Sequence, residues 1–209
     1  MDTIDTLSER NAHFAAHQFN SGLAMMPRLK TMIIGCADPR VDPADVLGLN
    51  LGDAVVIRNI GGRITPATLQ TMAMLRLVAA ADPAGPPGAG WNLIVLHHSD
   101  CGINRLIDYP DLLAEHFGID KADLDSKHTT DPWASVATDV AALKANPFLP
   151  AELIVSGLVY DVETGLIEQV VGPEPLRNDS QGDAPESMTS SPKVNVIPAP
   201  PQVEVSPSG

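Results

Sequence analysis

The stretch TMIIGCADPRVDP, residues 31–43, joins an unbroken apolar run to a short polar segment. An apolar run of this kind, without polar alternation, is typical of a strand buried on both faces of a parallel sheet. Asp42 and Pro43 then supply the N-cap and the first-turn proline of a short helix. The stretch therefore predicts a strand that leads directly into a helix, with Cys36 at the point where the chain leaves the sheet.

Later stretches repeat this change from strand to helix. Apolar runs occur in DAVVIRNIGG (residues 53–62), WNLIVLH (91–97) and the start of LIVSGLVYDVETGLIEQVV (153–171), whose second half predicts a hairpin. Predicted helices lie between them, one near residue 101 and two where Thr65-Pro66 and Asp131-Pro132 provide N-caps. Strands that alternate with helices indicate an α/β fold with a mostly parallel central sheet flanked by helices.

The two ends of the chain differ from this centre. Residues 6–19 predict an amphipathic helix with two phenylalanines, which we interpret as an N-terminal arm. From residue 173 the chain is rich in Pro, Ser and small polar residues, without helical or alternating apolar spacing. We therefore predict one domain over residues 1–172 and a flexible C-terminal tail over residues 173–209.

The composition argues against several classes of partner. With a formal net charge of −13 and a pI near 4.6, the surface would repel the phosphates of nucleic acid and of anionic membranes. No apolar stretch is long enough to span a bilayer, and the first residues lack the basic and apolar regions of a secretory signal. The sequence therefore predicts a cytoplasmic protein with no nucleic-acid or membrane partner.

The chain has two cysteines, and both follow apolar runs. Cys36 ends the first predicted strand, and Cys101 lies three residues after His98 at the end of another. Ligand sites of parallel α/β sheets lie beyond the carboxyl ends of the strands, so these three side chains can converge on one ion. Two thiolates and one imidazole suit Zn²⁺ and leave a fourth tetrahedral position open, as in catalytic zinc sites.

These residues also have other interpretations. A lone cysteine is often an inert core residue, and Cys36 and Cys101 could form a disulfide, although a reducing cytoplasm disfavours one. Matching positions at two strand ends favour a metal site. His97 is a further candidate ligand, but successive residues of a strand point to opposite faces, so we expect it to pack away from the metal.

Asp38 and Arg40 follow Cys36 closely enough to act at the same site. Asp38 can reach the open metal position and close the site, or it can pair with Arg40 and leave that position to water. A surface ion pair of little energetic effect is the alternative, and proximity to the predicted metal argues against it.

The motifs together resemble a known family. CADPR (residues 36–40) and HSDCG (98–102) are similar to the C-x-D-x-R and H-x-x-C-G motifs of β-class carbonic anhydrases, and RNIGG, ANPF and SGLVYDVETGLI extend the resemblance over about residues 5–171. HHSDCG resembles a branch of that family that also includes enzymes acting on carbonyl sulfide. Pro39 departs from the serine or alanine often found in the first motif.

The resemblance implies that Cys36, His98 and Cys101 bind zinc and that Asp38 and Arg40 form the catalytic dyad, with Asp38 as a fourth ligand in a closed state. It also implies a homodimer or homotetramer, and a lyase that reversibly hydrates carbon dioxide to bicarbonate through zinc-bound hydroxide. One alternative is hydrolysis of carbonyl sulfide at the same zinc site. Another is a non-catalytic zinc or binding module with Asp38 as a permanent fourth ligand. Arg40 argues against this alternative, because a structural site does not need a residue that draws the fourth ligand away.

Overall fold

A five-stranded sheet forms the centre of the described chain, which comprises residues 2–82 and 88–177 of a computed structural model. The strands are β1 (Thr31–Cys36), β2 (Ala54–Asn59), β3 (Asn92–His98), β4 (Ile154–Tyr160) and β5 (Ile167–Pro175), in the spatial order β2-β1-β3-β4-β5. Neighbours among the first four pair in parallel, and β5 pairs with β4 antiparallel. The predicted α/β fold with a mostly parallel sheet is confirmed.

Helices connect the strands, and most begin where the sequence provides a cap. They are α1 (Thr3–His17), α2 (Pro43–Val46), α3 (Pro66–Ala80), α4 (Pro110–Phe117) and α5 (Pro132–Lys144), with 3₁₀ turns at Ile60–Gly62, Gly102–Leu106 and Lys121–Lys127. The side chains of Asp42, Thr65 and Asp131 accept hydrogen bonds from the first turns of α2, α3 and α5. Each of these helices has proline in its first turn, where its missing N–H and fixed φ cost nothing.

The main core surrounds the two central strands. Every residue of β1 is buried, as its unbroken apolar run predicts. In β3, Val95 is fully buried, and α5 packs Val136, Val140 and Leu143 into the same cluster. Burial of this kind stabilises by roughly 2 kcal/mol for each large aliphatic side chain, so the strands that carry the site residues are held by the best-packed part of the protein.

The order of the strands decides where a site can form. From β1 the chain crosses to β2 on one side, and it then returns to β3 on the other side of β1. Loops that leave the carboxyl ends of β1 and β3 therefore turn in opposite directions and leave a crevice, which is the usual ligand position in open α/β sheets. Cys36 and His98 are the last residues of these two strands.

Some boundaries differ from those predicted. The helix expected near Cys101 is a 3₁₀ turn of five residues, and the strand expected over residues 53–62 ends at Asn59 because Gly61 and Gly62 turn the chain with positive φ. Strand β5 continues to Pro175, within the range predicted as tail, and Leu176 is buried. The rest of the predicted tail, residues 178–209, lies outside the described residues.

The predicted N-terminal helix is present as α1, shifted toward the N-terminus. Asp2 and Asp5 form a reciprocal capping box that starts the helix at Thr3. Within the described part of the chain, none of its side chains is buried. No helix among the residues described here is both long and apolar enough to cross a membrane.

Candidate metal centre

Three predicted ligands converge at the crevice between β1 and β3. The donor atoms of Cys36, His98 and Cys101 all lie within 4.8 Å of one another, and the two sulfur atoms are 3.7 Å apart. A tetrahedral Zn²⁺ with Zn–S bonds of about 2.3 Å separates two thiolates by about 3.8 Å. The observed sulfur–sulfur distance of 3.7 Å is far longer than the S–S bond of about 2.05 Å in a disulfide, and both cysteines are free. The donor set and its spacing fit zinc.

The histidine is oriented with one ring nitrogen free for a metal. His98 Nδ1 lies 2.8 Å from the carbonyl oxygen of Ser99, to which it donates. The other nitrogen, Nε2, is buried and has no hydrogen-bond partner among the described residues. A backbone carbonyl that fixes the tautomer in this way is the usual support of a metal-binding histidine. His98 Nε2 is therefore available as a metal ligand.

Contact between the two thiols shifts their pKa values in opposite directions. The hydrogen bond from the Cys101 thiol lowers the pKa of Cys36 to about 4, against the effect of burial, and the same contact raises the pKa of Cys101. Backbone N–H groups of Asp38 and Gly61 also donate to the Cys36 sulfur. Since thiolates are the metal-binding form, the lowered pKa of Cys36 favours binding of a cation at this sulfur.

Two glycines allow the β2–α3 loop to pack against the first ligand. At Gly62, a Cβ atom would lie 2.9 Å from the Cys36 backbone nitrogen and 2.9 Å from the Gly35 carbonyl carbon. Gly61 and Gly62 both have positive φ. The Asn59 side chain holds the turn: its Nδ2 donates to the Arg63 carbonyl, and its Oδ1 accepts from the Arg63 backbone N–H. Close approach of the backbone and the geometry of the turn both require glycine here.

Substitution of Gly62 by alanine is expected to lower the free energy of unfolding by about 3 kcal/mol, because it adds backbone strain and a clash with backbone atoms that cannot move aside. Urea unfolding with zinc present measures the change. Gly102→Ala is the matched control, since a Cβ at Gly102 meets nothing within 4 Å, and it should cost less than about 0.5 kcal/mol. Equal stabilities of the two variants would contradict this account of the loop.

Asp38 and Arg40 form the predicted pair beside the three ligands. Arg40 Nη2 donates to Asp38 Oδ2 at 2.8 Å, and Arg40 Nε donates to Asp38 Oδ1 at 3.1 Å. The Asp38 side chain is 13% exposed, against 48% for Arg40. Asp38 is thus held by the arginine and does not belong to the group of three converging donors. This arrangement leaves the fourth position of a tetrahedral metal unfilled by protein.

The pairing sets the charge of Asp38. Hydrogen bonds from Arg40 lower the pKa of Asp38 to about 2, although partial burial opposes the shift. Because the folded pKa lies below the usual value, the pair stabilises the fold above about pH 4, and this stabilisation is lost as the pH falls through about 2. Asp38 is therefore a hydrogen-bond acceptor throughout the neutral range.

Arg58 supports the first motif from β2. Its Nε donates to the carbonyl of Cys36 at 2.9 Å, its Nη2 donates to the carbonyl of Asp38 at 2.7 Å, and its Nη1 pairs with Asp42. Arg58 therefore has a structural role at this motif. The contacts fix the backbone on which both Cys36 and Asp38 stand.

Beneath the ligands lies a buried charged network that the sequence did not predict. Arg63 Nε donates to Asp139 Oδ2 at 2.8 Å, and both side chains are 1% exposed. His97 joins them, with Nε2 3.2 Å from the same carboxylate oxygen and 3.2 Å from the Gly62 carbonyl. His97 is packed in the core and is not one of the three converging donors. Asp139 could have been found, because it interrupts the apolar face of α5 between Val136 and Leu143.

The second motif is tied to the β4–β5 hairpin. The Ser99 hydroxyl donates to Asp161 Oδ1 at 3.1 Å and accepts from the backbone N–H of Val162 at 2.9 Å. The backbone N–H of Ser99 donates to the Tyr160 carbonyl. The DVETG segment thus holds the turn that carries His98 and Cys101.

Comparisons with known proteins identify the family of the chain. The sequence profile of the carbonic anhydrase family matches residues 31–121. The crystal structure of a carbonic anhydrase from Streptococcus mutans is 31% identical, with a TM-score of 0.61, over 81% of this chain and 98% of that one. Beta-carbonic anhydrase 1 of Mycobacterium tuberculosis is 28% identical over 81% of this chain and 99% of its own length.

A further relative carries a different name. The carbon disulfide hydrolase of Saccharolobus solfataricus is 26% identical over 63% of this chain and 72% of its own length. Three observations support one family. They are the match to the family profile, the similarity over nearly the whole length of two carbonic anhydrases, and the fit of the three donors to zinc. The chain belongs to the β-carbonic anhydrase family of zinc enzymes.

Proposed function

We propose that the protein reversibly hydrates carbon dioxide to bicarbonate, with zinc held by Cys36, His98 and Cys101 and with Asp38 and Arg40 as the catalytic pair. The observation that carries this proposal is the convergence of two thiols and an unpartnered imidazole nitrogen beside a carboxylate that an arginine holds. Three protein ligands with a fourth position free are typical of catalytic zinc, whereas structural sites supply four.

Each residue has a distinct part in this reaction. Zinc bound here would lower the pKa of a water molecule toward about 7 and so supply a nucleophile near neutral pH. Asp38 Oδ2 accepts one hydrogen bond from Arg40, and its remaining lone pair can accept the hydrogen of that nucleophile and direct it at the carbon of carbon dioxide. Bicarbonate then leaves, and one proton passes to the buffer.

The surroundings suit a small uncharged substrate. Ile103 is buried and lines a narrow cavity beside His98 and Cys101. Ile103 gives one side of this cavity an apolar surface, and a linear molecule without charge loses little there on leaving solvent. The acidic protein as a whole adds no attraction for an anion, so product bicarbonate is not retained by the general field.

Hydrolysis of carbonyl sulfide is a second candidate, because the carbon disulfide hydrolase relative and the HHSDCG motif favour a substrate with a carbon–sulfur bond. The same nucleophile would attack the same kind of linear molecule. Parallel assays of the zinc-loaded protein on carbon dioxide, carbonyl sulfide and carbon disulfide test the proposal. We expect carbon dioxide to have the highest kcat/KM; a higher value for either sulfur compound would reassign the substrate and leave the zinc site unchanged.

A non-catalytic zinc module is less well supported. In such a module Asp38 would be a permanent fourth ligand. Both edges of the Asp38 carboxylate are instead engaged by Arg40, through its side chain and its backbone N–H.

We also infer that the protein acts as a homodimer or homotetramer, in the cytoplasm. Helix α1 supports the oligomer, because Ile4 and Leu7 are 69% and 52% exposed on a helix whose apolar residues lack a partner surface in the described chain. A metal site that needs both thiols reduced to bind zinc suits a reducing compartment.

Deletion of residues 1–20 is expected to weaken association of the chains at least about tenfold, because the exposed apolar side chains of α1 need a partner surface. Sedimentation velocity over a range of concentrations measures the change. Glu9→Ala, an exposed substitution on α1, is the control and should leave association intact. A full-length protein that is already monomeric at micromolar concentration would refute the inference.

A further inference from the structure

Arg40 is held by both sequence motifs. Its Nε and Nη2 atoms form one edge of the guanidinium, and this edge faces the carboxylate of Asp38. The other edge faces Asp100, with Nη1 donating to the Asp100 Oδ2 at 2.8 Å and Nη2 donating to the Asp100 carbonyl oxygen at 3.0 Å. One planar group thus binds the loop after β1 and the turn after β3 at the same time.

The backbone at Asp100 is shaped for this contact. Its φ is 50°, one of three positive values among the described residues other than glycine. Left-handed backbone is uncommon for a residue with a side chain, and Asp and Asn tolerate it best. In this conformation both the carbonyl oxygen and the carboxylate of Asp100 point at the same guanidinium. A surface ion pair formed by chance between flexible side chains would not need this local strain.

We propose that Asp100 is a positioning residue that fixes the plane of the Arg40 guanidinium, so that the Nε–Nη2 edge faces Asp38. The proposal deepens the proposed function, on which its catalytic consequence rests. Without this second contact, an arginine that is 48% exposed would rotate about its terminal side-chain bonds. Each engagement of Asp38 would then cost the entropy of ordering that side chain. With the second edge clamped, Asp38 stays paired with Arg40, does not join the three ligands, and keeps its lone pair available to the nucleophile.

The hydrogen bond, and not the charge alone, carries this role. The Asp100 side chain is 72% exposed, so solvent screens its electrostatic effect on Arg40. An asparagine in the same place keeps an oxygen that can accept from Nη1, and it tolerates positive φ. A glycine removes the side chain without backbone strain. Asp100→Asn and Asp100→Gly therefore form a matched pair that separates clamping from charge and from backbone effects.

The first measurement follows the guanidinium directly. Rotation about the Nε–Cζ bond of Arg40, measured by NMR on the zinc-loaded protein, should be at least about fivefold faster in Asp100→Gly than in the wild type. In Asp100→Asn it should stay within about twofold of the wild type. Equal rotation rates in the wild type and in Asp100→Gly would overturn the proposal, whatever the protein's activity.

The second measurement is steady-state hydration of carbon dioxide at full zinc occupancy. Asp100→Gly should lower kcat about fivefold with little change in KM, because orientation and not substrate binding is lost. Asp100→Asn should recover most of that loss. An equal loss of kcat in both variants would overturn the clamp and indicate a role of charge. If the wild type itself does not hydrate carbon dioxide, the proposed function fails while the rotation rates still decide the clamp.

Discussion

Replacement of Arg40 by alanine is expected to lower the turnover of carbon dioxide by at least about a hundredfold while zinc stays bound, since misplacing one positioning group costs about that much. Arg40 is the only group among the described residues that donates side-chain hydrogen bonds to the carboxylate of Asp38. Without it, Asp38 is free to occupy the open metal position. The variant should then have four protein ligands and no room for the attacking water.

Turnover, zinc content and a crystal structure of the same preparation test this prediction together. The measurement should extend over the range from about pH 6 to 9, because Asp38 in the wild type stays ionised far below it. Arg76→Ala is the matched control; Arg76 is exposed on α3 and donates to the Phe148 carbonyl, away from the site. Near-normal turnover of Arg40→Ala at full zinc occupancy would reduce the pair to an ordinary ion pair.

Replacement of Cys36 by alanine is expected to remove zinc and to lower turnover by at least about a thousandfold, because two remaining ligands bind the ion poorly. The same outcome is expected for Cys101→Ala and for His98→Ala. Cys36 lies at the end of a fully buried strand, so some loss of soluble protein is expected as well.

Elemental analysis after gel filtration measures the metal, and His13→Ala, in the exposed helix α1, serves as the control for His98→Ala. The control should keep one zinc per chain. Full zinc occupancy in any one of the three ligand variants would remove that residue from the assignment and require another donor.

Most of the fold followed from two local signals. The unbroken run over residues 31–36 predicted a strand buried on both faces, and all six residues are buried. Proline after Asp42, Thr65 and Asp131 marked the starts of three helices within a residue. These signals are reliable because each depends on a few neighbouring residues and one physical cause, burial in one case and helix capping in the other.

The candidate ligands were predictable because the carboxyl ends of parallel strands all lie at the same edge of a sheet. The sequence predicted that Cys36 and His98 end parallel strands and that Cys101 follows three residues after His98, and the observed strand order places the two strand ends next to each other. The alternation of side chains in a strand also predicted correctly that His97 packs elsewhere.

What the sequence did not predict depends on contacts between distant segments. Asp100 and Asp139 are 60 and 76 positions away from their arginine partners, Arg40 and Arg63. Nothing in local composition indicates which acid meets which base. The 3₁₀ turn after Cys101 was also predicted as a helix, because a short 3₁₀ turn and the start of an α-helix have similar local sequence signals.

The central claim is that zinc at Cys36, His98 and Cys101 makes this protein a carbon dioxide hydratase. Stopped-flow hydration of carbon dioxide, measured on protein stripped of metal and then titrated with zinc, tests it most directly. Turnover should be absent from the stripped protein and should rise in proportion to bound zinc, reaching its maximum at one zinc per chain. Turnover that survives complete removal of the metal, or none with one zinc bound per chain, would contradict the claim.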